Sequence, residues 1–236
     1  MRNDSSPVDE KNAVRPALQI PRLQLARVLD LVRRAVGGDR FENLYRAIEQ
    51  EVVSLPTENK RLLDYGCGSM IFSDTLKRRG AVADYFGVDT FPAPTDSPEI
   101  KWSNYAQLAE AKLETLGTFD LAVVIDVLHH AAESDRPSIL RSLGDICRYV
   151  VVKDHFEYGP VSRQKLRLAD WYGNYAYGVN IPDRYFTPES WSALVKDSGL
   201  KELKRVPGVT VHAGLFGMIL PRKHHFISIL SLGDKL

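Results

Sequence analysis

Arg61-Leu62-Leu63-Asp64-Tyr65-Gly66-Cys67-Gly68-Ser69-Met70 is the stretch whose reading decides the fold. It reads as a short apolar strand running into a turn punctuated by two glycines. A helical pattern follows, from Phe72 to Arg79. A strand that stops at glycines and restarts as a helix leaves free backbone N–H groups at the helix mouth. Gly66 and Gly68 lack Cβ atoms, so a ligand can lie against the backbone there. Asp64 stands at the strand's carboxyl end, the side on which open α/β sheets bind ligands. Tyr85-Phe86-Gly87-Val88 reads as the next strand and runs into Asp89. Two neighbouring strand ends therefore each carry an acid, and the second is placed to accept hydrogen bonds from a ribose diol.

Working outward, strands and helices alternate, which argues for a mainly parallel sheet with helices on both faces. The first strand spans about 61–65 with a helix at 70–79, and the second strand spans about 83–88. Phe91 to Pro98 is a proline-rich loop. A short third strand is expected at Ile100-Lys101-Trp102, and a helix over Tyr105–Leu116. The fourth strand is Phe119–Ile125. A helix starts at Ser134 or Asp135, with Pro137 tolerated in its first turn. Arg148–Lys153 is the fifth strand. Residues 154–186 interrupt the alternation with a segment dense in aromatics and glycine, read as a lid or acceptor pocket on the ligand side of the sheet. Thr187-Pro188-Glu189-Ser190 starts a helix that runs to Gly199. Leu200–Val206 is the sixth strand, Gly208–Pro221 takes no assignment, and His225–Leu230 is a last, antiparallel strand. Upstream, residues 1–16 read as a disordered polar tail and 17–56 as a helical cap, broken at Gly37-Gly38 and restarted at Asp39. Residues 57–236 form the main domain.

Three pieces together resemble a known family. Asp64-Tyr65-Gly66-Cys67-Gly68, then Tyr85-Phe86-Gly87-Val88-Asp89, then Phe119-Asp120-Leu121-Ala122-Val123-Val124-Ile125-Asp126-Val127-Leu128-His129-His130 are similar to the cofactor site of the Rossmann-like, class I S-adenosylmethionine-dependent methyltransferases of the small-molecule type. The resemblance implies a doubly wound, seven-stranded, mostly parallel sheet of order 3-2-1-4-5-7-6, with N-terminal helices and a lid insertion after the fifth strand. It implies S-adenosyl-L-methionine as cofactor and S-adenosyl-L-homocysteine as product. One departure is that Met70 stands where the first loop of the family often has a third glycine, which predicts a tighter loop around the methionine end of the cofactor.

The resemblance also distributes roles. Asp64 is expected to hold the methionine ammonium, with Gly66, Cys67 and Gly68 against the cofactor. Asp89, with Thr90 beside it, is expected at the ribose. Asn104 and Tyr105 are the candidates on the adenine side. Asp126 should face the methionine half or the acceptor. His129 and His130 follow beside the transferable methyl, either as positioning residues or with His130 as a base that titrates near neutral pH. Lys153, Asp154 and His155 emerge together from a buried strand end. They form either an acid–base pair, His155 with Asp154, or a salt bridge that pins the lid. Tyr172, Asn174, Tyr175, Tyr177, Arg184 and Tyr185, with His129 and Lys153, are the candidate acceptor pocket. The flat faces and polar tips of tyrosines suit an aromatic or polyketide-like molecule.

Composition narrows the remaining classes. The formal net charge of the 236 residues is +1, with 44% hydrophobic residues, which is ordinary for a soluble domain and shows no nucleic-acid surface. Cys67 and Cys147 make neither a disulfide framework nor a metal-ligand spacing, which fits a reducing cytoplasm. No apolar signal core or membrane-spanning run is present. A dehydrogenase-type fingerprint needs a third glycine where Ile71 stands. Asp126-Val127-Leu128-His129 replaces the Asn/Asp-Pro-Pro-Tyr/Phe loop of nucleic-acid and protein methyltransferases. The expectation is a monomeric or homodimeric enzyme acting on a small molecule without a metal. The alternative is an S-adenosylmethionine-binding partner subunit that does not methylate.

Overall fold

The computed structural model describes residues 40–91, 104–108, 112–174, 179–212 and 214–233. The polar tail, the first cap helix, the Phe91–Pro98 loop beyond Phe91, the strand expected at 100–102, Tyr175 and Tyr177 lie outside the described residues.

The chain opens on α1 (Arg40–Ser54), which buries Leu44, Ile48 and Val52, spaced four apart along one face. Then come β1 (Arg61–Tyr65), α2 (Ile71–Arg78), β2 (Asp84–Asp89), β3 (Tyr105–Gln107) and β4 (Phe119–Ile125). After these follow α3 (Arg136–Ile146), β5 (Cys147–His155), α4 (Pro160–Asn174), α5 (Pro188–Ser198), β6 (Lys201–Pro207), α6 (Gly214–Ile219) and β7 (His225–Ser231). The seven strands form one sheet of order β3-β2-β1-β4-β5-β7-β6, as the resemblance implied. The first five strands run parallel, and β7 lies antiparallel between β5 and β6.

Period-two alternation along the central strands divides the core between the two faces. Leu62, Leu121, Val123 and Val151 point to the side covered by α1 and α2. Leu63, Ala122, Val124, Val150 and Val152 point to the side covered by α3 and α5. The start of α5 is a capping box. Ser190 N–H donates to Thr187 Oγ1 at 3.1 Å, and Thr187 N–H donates to Ser190 Oγ at 2.8 Å. Gly199, at φ +74°, ends the helix.

Two expectations need correction. Tyr105–Gln107 is the third strand and not the start of a helix to Leu116, of which only a 3₁₀ turn at Leu113–Leu116 remains. The pairing of Tyr105–Gln107 with Gly87–Asp89 overrides local propensity. So do the bonds of the Asn104 amide to the Tyr85 carbonyl and of the Tyr105 hydroxyl to the Phe91 carbonyl. The second correction is that β5 runs to His155, so Asp154 and His155 belong to the sheet and not to the insertion. The unassigned Gly208–Pro221 contains α6. Among the described residues, no helix is long and apolar enough to cross a membrane.

Candidate active site

The turn after β1 places Gly66 at φ +75°, Gly68 at +50° and Met70 at +57°, so left-handed residues alternate with ordinary ones. That alternation turns the Gly66 and Cys67 N–H groups to the Val88 carbonyl, at 2.8 and 3.2 Å, and the Gly68 N–H to Asp89. The two glycines differ in what they make room for. A Cβ on Gly66 would lie 2.3 Å from the Val127 side chain, whereas one on Gly68 would meet nothing within 4 Å. Gly66 therefore admits the loop after β4, and the open ground lies over Gly68. Met70 adopts the glycine-like conformation and buries its side chain completely. It fits because Gly87 has no Cβ; one there would lie 2.6 Å from Met70 Sδ and 2.7 Å from Cys67 Sγ. The Met70 side chain thus packs into the sheet side of the loop, away from the expected constriction. Burial pushes the Cys67 thiol up, so it stays protonated. Gly66→Ala should destabilise the fold, with a lower midpoint in urea, because strained φ and a clash with Val127 coincide. Gly68→Ala should melt closer to wild type and lose cofactor affinity instead.

Both strand-end acids flank this turn. Asp64 is 3% exposed and accepts from Ser73 Oγ at 2.5 Å. Burial raises its carboxyl to about 7, against the Ser73 hydrogen bond and aided by the charge of Asp89. Asp89 accepts from Gly68 N–H at 2.8 Å and Phe91 N–H at 3.1 Å, with Thr90 Oγ1 at 3.4 Å. The structure does not bring Asn104 to the ligand edge. The register pairs Gly87 with Tyr105 and Asp89 with Gln107, so Asn104 lies below the carboxyl ends, its amide on Tyr85. Tyr105 reaches the turn after β2 through its hydroxyl.

A second polar group forms where β4 and β5 end. Asp126, at φ +55°, accepts from Lys153 Nζ at 2.5 Å. Burial opposes the Asp126 charge, but Lys153 and His155 outweigh it and lower the carboxyl to about 2. Lys153 is fully buried, so it cannot line an acceptor pocket directly, and burial lowers its ammonium. His155 Nε2 lies 3.4 Å from Lys153 Nζ, and its Nδ1 lies 3.3 Å from Asp126 Oδ1. Burial and then the Lys153 charge lower this imidazole, so it is neutral at pH 7. Asp154 is fully buried and accepts from the His155 N–H at 2.7 Å. Its Oδ1 also lies 2.7 Å from His129 Nδ1. Burial pushes the His129 ring down, but Asp154 and Asp170 hold it up at about 10. His130 bonds the Asn180 carbonyl through Nδ1 at 2.8 Å; burial and the His129 charge lower it.

The lid supplies the facing wall. Asp170 on α4 accepts from Asn174 Nδ2 at 2.7 Å and Tyr185 Oη at 2.9 Å. Tyr185 is 5% exposed, so it braces Asp170 and presents little surface to an acceptor. Tyr172 is partly exposed on the same helix, and Arg184 is exposed. A cleft of about 470 Å³ opens beside His129, His130, Asn180 and Arg184. Sequence reasoning missed Ser73 and Asp170 as site residues. The signal for Asp170 was its place one helical turn before Asn174, on one face of a lid helix.

Comparison with known proteins agrees with the geometry. A family model described as a methyltransferase domain matches residues 38–204. A search of curated proteins found no match. Among solved structures, an S-adenosylmethionine-dependent methyltransferase from Clostridium acetobutylicum superposes with a TM-score of 0.57 at 12% identity, covering 89% of this chain and 98% of that one. The Burkholderia thailandensis 1,6-didemethyltoxoflavin-N1-methyltransferase, with 1,6-didemethyltoxoflavin and S-adenosylhomocysteine bound, gives 0.56 at 14% identity, covering 96% and 92%. CalO1, a methyltransferase of calicheamicin biosynthesis bound to S-adenosylhomocysteine, gives 0.52 at 16%, covering 81% and 54%. With its family match over more than two thirds of its length and its 3-2-1-4-5-7-6 sheet, this chain belongs to the methyltransferase-domain family and has the fold of the class I S-adenosylmethionine-dependent enzymes.

Proposed function

We propose that the protein transfers a methyl group from S-adenosyl-L-methionine to a small-molecule acceptor held between the loop after β4 and the lid. The observation that carries this reading is the turn at 66–70: open space over Gly68, flanked by the carboxyls of Asp64 and Asp89. These residues fit the cofactor. A nearly buried carboxyl raised by desolvation, as Asp64 is, gains most from an ammonium partner. Asp89 would exchange the Gly68 N–H for ribose hydroxyls. When bound, S-adenosylmethionine supplies an already activated methyl group, so the protein's share is placement and proton removal. With its Nδ1–H kept toward Asp126 Oδ1, the neutral His155 ring would take the acceptor's proton at Nε2, the nitrogen 3.4 Å from Lys153 Nζ. Asp126 and Lys153 hold that ring, while Tyr172 and Arg184 border the acceptor. The small-molecule acceptor is favoured by the net charge of +1 and by the cleft's size. The toxoflavin-type and calicheamicin-pathway acceptors of structural neighbours point the same way.

Calorimetry and turnover together test the reading. Asp89→Ala should lose cofactor binding by tenfold or more. His155→Ala should bind the cofactor as wild type does while product formation from a labelled methyl donor and an acceptor pool falls at least a hundredfold, the usual scale of general base catalysis being about 10²–10⁴. Unchanged cofactor affinity in Asp89→Ala would remove the ribose assignment, and full turnover in His155→Ala would make the cluster structural.

A further inference from the structure

We propose that His129, His130 and Asp170 form a site for one divalent transition-metal ion between the loop after β4 and the lid helix α4. His129 Nε2 lies 3.4 Å from Asp170 Oδ2, and His130 Nε2 lies 3.7 Å from Asp170 Oδ1. One ligand atom from each of the three residues falls within 4.8 Å of the others. Ligand atoms that each stand roughly 2.0–2.1 Å from a tetrahedral ion are about 3.4 Å apart, so the observed spacing needs little adjustment.

The surroundings of the three residues point the same way. Each ring has its Nδ1 engaged, His129 on the Asp154 carboxylate at 2.7 Å and His130 on the Asn180 carbonyl at 2.8 Å. An outer partner on one nitrogen fixes the ring and turns the other nitrogen to the ion, which is how metal-bound imidazoles are oriented. Asp170 is itself held by Tyr185 Oη and Asn174 Nδ2. The His129 side chain has no solvent exposure, and among the described residues its Nε2 makes no hydrogen bond. In the ion-free protein Asp154 and Asp170 keep a proton on this ring; an ion would take the place of the Nε2 proton, which leaves to solvent, and give the buried nitrogen the partner that it lacks.

His129, Asp154 and His155 also lie together. The 2.7 Å between His129 Nδ1 and Asp154 Oδ1 is a hydrogen-bond length. It is too short for neighbours on one ion, which stand about 3 Å apart even in a compact octahedron. Asp154 is therefore the orienting partner and Asp170 the ligand. Two imidazoles and one carboxylate favour Zn²⁺, Co²⁺ or Fe²⁺ over Mg²⁺ and Ca²⁺. Three protein ligands leave a coordination position open, as catalytic sites do. It would be completed by an oxygen or nitrogen donor of the acceptor in the adjoining cleft. That last step rests on the methyl-transfer reading; binding of the ion does not.

The test uses the full chain, stripped with chelator and dialysed against Zn²⁺ or Co²⁺. Elemental mass spectrometry should find one ion per chain, and the Co²⁺ form should show the visible bands of a four- or five-coordinate centre. His130→Ala and Asp170→Asn should each weaken binding tenfold or more. Tyr185→Phe, which frees Asp170 without removing a ligand, should weaken it by about 10–100-fold. Asp170→Asn keeps the side-chain size, and circular dichroism checks its fold. Excess Mg²⁺ should not displace the ion. Absence of stoichiometric Zn²⁺ and Co²⁺, or binding unchanged in both ligand variants, overturns the site. Cofactor calorimetry on the same preparation reports separately on the methyltransferase reading.

Discussion

Asp64→Asn should make the free protein more stable above pH 7 while removing most of its affinity for S-adenosylmethionine. The carboxyl is raised from 3.8 to about 7, chiefly by burial. A carboxyl raised in the folded state contributes stability that is fully present below its unfolded pKa. That stability is lost as pH rises through the folded value. Wild type therefore gives up stability between about pH 4 and pH 7, and the amide does not. The gain of the variant should grow across that window and level off above it, reaching on the order of 3–4 kcal/mol by pH 8. Asparagine still accepts from Ser73 Oγ, so the local hydrogen bond survives. Thermal melts from pH 4 to 9 beside cofactor titrations check both halves. The affinity of wild type should fall as pH drops through 7, because the ammonium needs the ionised form. A variant that melts lower than wild type at pH 8 would show that Asp64 is stabilised in place and not held there for a ligand.

Asp126→Asn should cost about 3–5 kcal/mol in urea denaturation, the usual result of stripping one partner from a buried ion pair. Lys153 is fully buried and its ammonium sits 2.5 Å from Asp126. Asparagine keeps the left-handed backbone tolerable, so charge is the main thing removed. Adding Lys153→Met to Asp126→Asn should recover part of the loss, since methionine needs no counter-charge in that space. A single variant within 1 kcal/mol of wild type, or a double variant worse than the single, would mean that the lysine is neutral in the folded protein.

The sheet was legible because β1, β4 and β5 carry the apolar runs Leu62-Leu63, Leu121–Ile125 and Tyr149–Val152, each followed by an acid or a polar cluster. The positions of Gly66, Gly68, Asp64 and Asp89 at the carboxyl ends of β1 and β2 were legible for the same reason, since backbone geometry and strand ends leave marks on local sequence. The third strand was not, because three residues carry no period and only pairing to Gly87–Asp89 defines them. With it went the placing of Asn104, read as following the third strand, whereas it stands just before Tyr105–Gln107. Met70 broke the expected glycine pattern through a partner seventeen positions away, Gly87, which local reading cannot weigh. The lid aromatics read as a binding wall, yet Tyr185 is spent on Asp170. What a side chain faces across a fold depends on packing that no spacing encodes.

The antiparallel β7 also constrains how the chain folds. It follows β6 in sequence but lies between β6 and β5. Lys201–Pro207 thus has no neighbour in the sheet until His225–Ser231 is made, and the two must dock as a hairpin onto an open β5 edge. Closing that long loop is slow by the entropy of distant contacts. Until it closes, Val150 to His155 offer an unpaired ladder, the point at which a folding chain of this type is most exposed to aggregation.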